Sequence, residues 1–343
     1  MNNKGAGYRS LLAITMGDPA GVGTEVTLKA LYEREVYDWC RPVVVGDTRI
    51  LGRDAEALGL RDLRFHPVGA LADAGFEAGT VDVVDLGNAD PQQCPWGQIS
   101  AAAGRAAVEY VLRGADLAMA GEVDAIVTAP LNKEAMQRAG FHWAGHTELL
   151  AEHTGSGKVT MMLTNREMRV LHVSTHVSLR EAIKRVTQPR VLEVIHLAQQ
   201  GISSLGIERP RIAVAGLNPH AGESGLFGRE EIEIIIPAIE QACTEGLEVV
   251  GPLPPDTIFW RARQGEFDGV VAMYHDQGHI PMKLLGFDLG VNVSIGLPII
   301  RTSVDHGTAF DIAGRGLARH ESMVEAMRVA AQMARARRDG EHE

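Results

Sequence analysis

The sequence predicts an α/β protein built as two lobes, and three observations carry that prediction. Short apolar runs rich in Val, Ile and Leu alternate with longer stretches of helical periodicity. Those runs are continuous rather than alternating, the pattern of parallel strands covered on both faces. The chain has 343 residues, more than one compact core ordinarily encloses, yet no low-complexity tether divides it. The lobes are therefore expected to interleave along the chain.

In order, strands are expected at "LLAIT" (11–15), "PVVVG" (42–46), "VDVVDL" (81–86), "AIVTA" (125–129) and "VTMML" (159–163). They continue at "RVLHVST" (169–175), "RIAVAGL" (211–217), "GVVAMY" (269–274) and "GVNVSI" (290–295). Helical patterns cover about 23–34, 98–119, 178–200, 228–244 and 320–338. No internal repeat is visible.

Asp and Glu outnumber Lys and Arg by 44 to 33, a formal net charge of -11, and the basic residues are scattered. That argues against nucleic acid as a partner, since a basic footprint is its first requirement. An anionic small ligand needs only a local cluster. No apolar stretch is long enough to span a bilayer, so no membrane partner is expected. The start, "MNNKGAGYRS", lacks the apolar core of a signal peptide, and a cytoplasmic location is expected. Cys40, Cys94 and Cys243 are odd in number and far apart, which fits reduced thiols rather than disulfides or a cysteine zinc site.

Ligands of open parallel sheets bind beyond the carboxyl ends of the strands. Three predicted strands deliver a histidine there: "RVLHVST" leads to His176, "RIAVAGL" to His220 and "GVVAMY" directly to His275. Three imidazoles can hold a borderline divalent metal and leave positions for water or substrate. Asp276 and Glu223 are nearby carboxylates; Asp276 could orient an imidazole, whereas Glu223 reads better as loop solvation. His66, His172, His196 and His320 read as ordinary structural histidines.

Other strand ends suggest an anion site. Asn132 and Lys133 follow "AIVTA", and His146 and Thr147 sit in "GHTE" near a helix start. Lys283, Asn292 and Arg301 follow among apolar segments, where an unpaired charge would be costly. "ITMGDPAGVG" (14–23) resembles a phosphate-cradling turn but matches no dinucleotide or P-loop fingerprint, and a tight strand-to-helix turn explains it equally well. "DHGTAFDIAGRG" (305–316) is a second glycine-rich loop and carries Asp311.

Taken together, "ITMGDPAGVG", "TAPLNKEAM", "GHTELLAEHTG", "LNPHAGESGLFGREE", "GPLPPDTIF", "YHDQGHIPMKLLGF" and "NVSIGLPIIRTSVDHGTAFDIAGRG" resemble the 4-hydroxythreonine-4-phosphate dehydrogenase family from about Leu11 to about Leu317. One departure is Thr24, where the family usually shows proline. The resemblance implies an isocitrate/isopropylmalate dehydrogenase-like fold, two α/β/α lobes with a cleft between them. The cofactor-side lobe is assigned to 1–135 plus 300–343, and the metal- and dimer-forming lobe to 136–299.

The resemblance also implies roles. The metal ligands fall on His176, His220 and His275, for one divalent ion such as zinc, cobalt or magnesium. Substrate contacts fall on His146, Thr147, Lys283, Asn292 and Arg301. The 305–316 loop, with His306, Gly307, Thr308 and Asp311, is similar to the adenosine-binding loop of the superfamily and implies NAD or NADP. Asp256, Asp276 and Lys283 are the candidate catalytic groups. A homodimer sharing its active site is implied, with ligands from both subunits. The expected reaction oxidises the C3 hydroxyl of 4-phosphohydroxy-L-threonine and decarboxylates the β-keto acid. The alternative is 4-phospho-D-threonate or 4-phospho-D-erythronate in a sister group, to which "MGDP" at Met16–Pro19 is more similar than the "G-E-P" of the vitamin B6 enzymes. Other relatives act on cyclic dihydrodiols. A phosphate acyltransferase and a non-catalytic binding protein rank lower.

Overall fold

A computed structural model describes residues 8–286 and 289–340; most of the N-terminal stretch read for a leader lies outside them. The strands are β1 (Ser10–Thr15), β2 (Cys40–Gly46), β3 (Arg64–Pro67), β4 (Thr80–Asp85), β5 (Ala125–Thr128), β6 (Thr160–Thr164), β7 (Arg169–His172), β8 (Ile212–Ala215), β9 (Val249–Leu253), β10 (Gly269–Ala272), β11 (Val291–Ile295) and β12 (Arg301–Val304). The α-helices are α1 (Gly23–Tyr32), α2 (Val36–Trp39), α3 (Thr48–Ala57), α4 (Ala101–Met119), α5 (Lys133–Arg138), α6 (His146–His153), α7 (Leu179–Arg185), α8 (Gln188–Ser203), α9 (Ile236–Thr244), α10 (Ile258–Arg263), α11 (His275–Gly286) and α12 (Glu321–Gly340). The chain divides into two compact units, Met1–Lys158 with Leu297–Glu343, and Val159–Gly296.

In the first unit the strands run β3-β4-β2-β1-β5-β12, every pairing parallel. Leu12, Ile14, Val44 and Ile126 are buried in its middle strands, as their continuous apolar runs require. Ser100 starts α4 by accepting the Ala103 N–H, and Asn132 starts α5 by accepting the Ala135 N–H. A Cβ on Gly104 would come 2.1 Å from the Ala135 carbonyl oxygen, so only glycine lets α4 and α5 approach. With α6 also against α4, residues 136–158 pack in this unit.

In the second unit the order is β11-β6-β7-β10-β8-β9. The pairings from β7 onward are parallel, but β11–β6 and β6–β7 are antiparallel. The all-parallel expectation fails there for a simple reason. β6 and β7 are joined by residues 165–168, too short for a parallel crossover.

Three strands went unpredicted. β3 ("RFHP") is exposed and ends in proline, β9 ("VVGPL") holds a Gly-Pro pair, and β12 ("RTSV") is short and polar. The expected helix over 178–200 is two helices, because Val186 and Thr187 are extended and Pro189 opens the second. The expected helix over 228–244 begins as a π-turn, Glu231–Ile235. Among the described residues no helix is long and apolar enough to cross a membrane.

Candidate active site

The three histidines read from strand ends leave adjacent strands. β10 lies between β7 and β8, parallel to both, with Val270 opposite Val170 and Ala213. All three chain segments therefore emerge at one edge of the second unit's sheet. His275 is the first residue of α11, a helix not among those expected from the sequence. His275 Nδ1 and Asp276 Oδ1 are 2.6 Å apart. A carboxylate oxygen accepts there, so Nδ1 donates, and Asp276 steadies the ring as a carboxylate steadies a metal-binding imidazole.

The His176 and His275 ring centroids are 5.8 Å apart. His220 lies on an exposed turn, its ring 6.3 Å from that of Phe227. Among the described residues no group of three or more His, Cys, Asp or Glu side chains stands close enough to hold a metal ion. The donor chemistry of three imidazoles fits a borderline divalent cation, but the described residues do not assemble the set.

The turn carrying His220 has unusual backbone. His220, Ala221, Gly222, Glu223 and Ser224 all have left-handed φ and ψ, with φ from 44° to 80°. For each non-glycine residue that conformation costs on the order of 1 kcal/mol. Glu223 is exposed, in keeping with its loop reading.

Two histidines without an assigned role complete the cluster. His279, one helical turn after His275, stacks on it with ring centroids 3.7 Å apart. Its Nδ1 lies 3.1 Å from the His275 carbonyl oxygen and 3.2 Å from Nε2 of buried His172. Burial, then the neighbouring His275, pulls His279 down to about 4. Burial, then His279, takes His172 well below the ordinary imidazole range. The i,i+4 spacing of His275 and His279 was the signal for this pair. Gly278 makes the approach possible, since a Cβ there would sit 2.3 Å from His172 Nε2. Of the remaining candidates in this unit, Lys283 lies on α11, Asn292 on β11, and Asp256 is exposed after β9.

The first unit holds a different chemistry. Arg301 opens β12 and is 4% exposed, and its Nε and Nη2 both donate to Thr128 Oγ1, at 3.1 and 2.6 Å. Burial lowers its pKa to about 9, with Glu148 opposing. His146 and Thr147 are the first residues of α6. His146 is half-buried as a residue, but its Nε2 is sealed from solvent and has no hydrogen-bond partner among the described residues. Burial, then Arg301, holds it well below the ordinary range. A neutral imidazole beside a buried guanidinium suits an anion. Asn132, by contrast, spends its side chain capping α5.

The glycines of "ITMGDPAGVG" are filled by protein. A Cβ on Gly17, Gly21 or Gly23 would strike Pro130, Thr308 or Met16. Val22 N donates to the Thr308 carbonyl at 3.0 Å, so this turn braces the 305–316 loop rather than cradling phosphate. Asp18 in it is fully buried, and burial pushes its carboxyl to about 6. In the braced loop, Gly307 faces open space, Asp311 is exposed, and His306 Nε2 is buried without a partner among the described residues. Those features fit an adenosine-bearing cofactor.

Comparison with known proteins gives the chain's relatives. The family model described as "Pyridoxal phosphate biosynthetic protein PdxA" matches residues 38–330. The D-threonate 4-phosphate dehydrogenase of Cupriavidus necator is 49% identical over 95% of this chain and 98% of that protein. The 4-hydroxythreonine-4-phosphate dehydrogenase of Desulforapulum autotrophicum is 46% identical over 95% of this chain and 96% of that protein. A crystal structure of a 4-hydroxythreonine-4-phosphate dehydrogenase from Burkholderia phymatum superposes with a TM-score of 0.85 at 50% identity, covering 95% of this chain and 99% of that one.

Proposed function

The chain belongs to the PdxA family, and from that premise we propose that it is a metal-dependent NAD(P) dehydrogenase of a 4-phosphorylated four-carbon hydroxy acid. D-threonate 4-phosphate is the substrate we favour. The carrying observation is 49% identity to a dehydrogenase of that name over nearly the whole of both chains. "MGDP" at Met16–Pro19 points the same way. A second reading, 4-phosphohydroxy-L-threonine, is supported by the relative of that activity at 46% identity.

When bound, a divalent cation supplies Lewis-acid polarisation of the C3 hydroxyl, and the nicotinamide supplies the hydride acceptor. The chain's own residues do the rest. Arg301, held on Thr128, provides a buried positive charge for phosphate or carboxylate, and His146 and Thr147 add neutral groups at a helix start. Lys283 and Asn292 are the second unit's own candidates for contacting an anionic group. Asp276 orients His275, leaving Asp256, Lys283 or a water molecule to take the hydroxyl proton. His306, Gly307, Thr308 and Asp311 receive the cofactor. Zinc or cobalt suits three imidazoles better than magnesium does.

His176, His220 and His275 act as metal ligands across a homodimer. In support, the second unit exposes large apolar side chains, among them Leu284 (82%), Leu226 (73%) and Trp260 (66%).

The test is reduction of NAD and NADP by purified protein with each metal, using D-threonate 4-phosphate and 4-phosphohydroxy-L-threonine side by side. Faster turnover of the first is expected. Turnover of the second alone would reassign the substrate. Turnover of neither by metal-loaded protein would refute both.

A further inference from the structure

His220 stands on five consecutive left-handed residues, yet its imidazole is exposed, so the turn buries nothing with it. Such backbone persists only where its surroundings over-determine it. Here they converge on one side chain. Glu231 is 2% exposed. Its Oε1 accepts the N–H groups of Leu217 and Asn218, at 2.8 and 2.7 Å, and its Oε2 accepts from Asn218 Nδ2 at 2.9 Å. Across the turn, a Cβ on Gly222 would come 2.7 Å from the same Oε2. Glu231 also opens the π-turn Glu231–Ile235, a local widening of the helix that recurs at functional sites. One buried carboxylate therefore bonds the residues that lead into the turn and packs closely against Gly222 beyond His220.

We infer that Glu231 is a positioning residue for metal binding: it holds the left-handed turn so that His220 is presented as a ligand. This rests on the reading that His220 ligates the cation. Glu231 itself acts through the turn, because its oxygens already accept hydrogen bonds from Leu217 and Asn218.

Cobalt(II) titration of metal-free, full-length protein tests the inference. Affinity is read by chelator competition and ligand geometry by visible absorption, in wild type, Glu231→Gln, Glu231→Asp and His220→Ala. Gln keeps the shape but sets an amide NH2 against that of Asn218. Glu231→Gln is expected to weaken cobalt by about 10- to 100-fold, with unchanged far-ultraviolet dichroism and a spectrum shifted towards that of His220→Ala. Combining it with His220→Ala is expected to add no further loss, because the two act through one ligand.

Wild-type affinity in Glu231→Gln, with His220→Ala weakened, would overturn the inference and leave the metal reading standing. Wild-type affinity in His220→Ala would overturn the metal reading and the inference with it. If Glu231→Gln does not fold, Glu231→Asp decides between the same outcomes, since it keeps the charge but withdraws it by one methylene.

Discussion

Arg301 puts a cation where water scarcely reaches, with two of its N–H donors on one threonine hydroxyl. Lysine cannot reproduce that planar fork. Arg301→Lys should raise KM for the phosphorylated substrate by on the order of 100-fold, with a smaller effect on kcat, measured by steady-state kinetics. Arg301 could be singled out in the sequence because a charge among apolar residues demands a reason. His279 was legible only as an i,i+4 neighbour of His275; its stack on that ring and its contact with His172 are set by the fold, and no strand-end rule anticipates them. Its pKa of about 4 against an ordinary 6.5 has a signed consequence. As pH falls through about 6.5 the unfolded imidazole gains a proton and the folded one does not until about 4. Unfolding therefore takes up a proton in that window, and stability drops as the solution is acidified. His279→Gln should flatten that part of the stability–pH curve, followed by urea unfolding between pH 7 and pH 4.

Helix α11 carries the site's element-scale lesson. Its sequence contains Gly278 and Pro281, and both read as loop signals. The helix forms nonetheless, because Gly278 lets it settle directly onto His172 and Val170 in β7. In an exposed helix, Gly→Ala would gain about 1 kcal/mol of propensity. Here the added Cβ would lie 2.3 Å from His172 Nε2 and 2.7 Å from Val170 Cγ1. Gly278→Ala should instead destabilise the protein by about 2 kcal/mol, read from the urea midpoint, and should lower metal affinity by displacing His275. The same tertiary override hid β12, whose four residues, three of them polar, carry little strand signal but pair with β5 all the same. By contrast β1, β2, β5 and β10 were legible, because strands buried on both faces must be continuously apolar.

For the whole molecule, the two-lobe α/β class followed from length and alternation, and the shared strand edge of the three histidines followed from parallel topology. What sequence could not supply was the adjacency of β7, β10 and β8, which is set by long-range pairing. The proposed sharing of ligands makes a dimer central, and sedimentation should give twice the mass of 37.0 kDa. Replacing Leu284 and Ile280 together by glutamate, on exposed positions of α11, should yield monomers with weakened metal binding. The most direct test of the account is the stoichiometry of turnover by metal-stripped and metal-restored protein with D-threonate 4-phosphate and NAD. Reduced nicotinamide and carbon dioxide should appear together, in equal amounts, only after the cation is returned. Nicotinamide reduction that proceeds unchanged without metal, or without carbon dioxide, would contradict it.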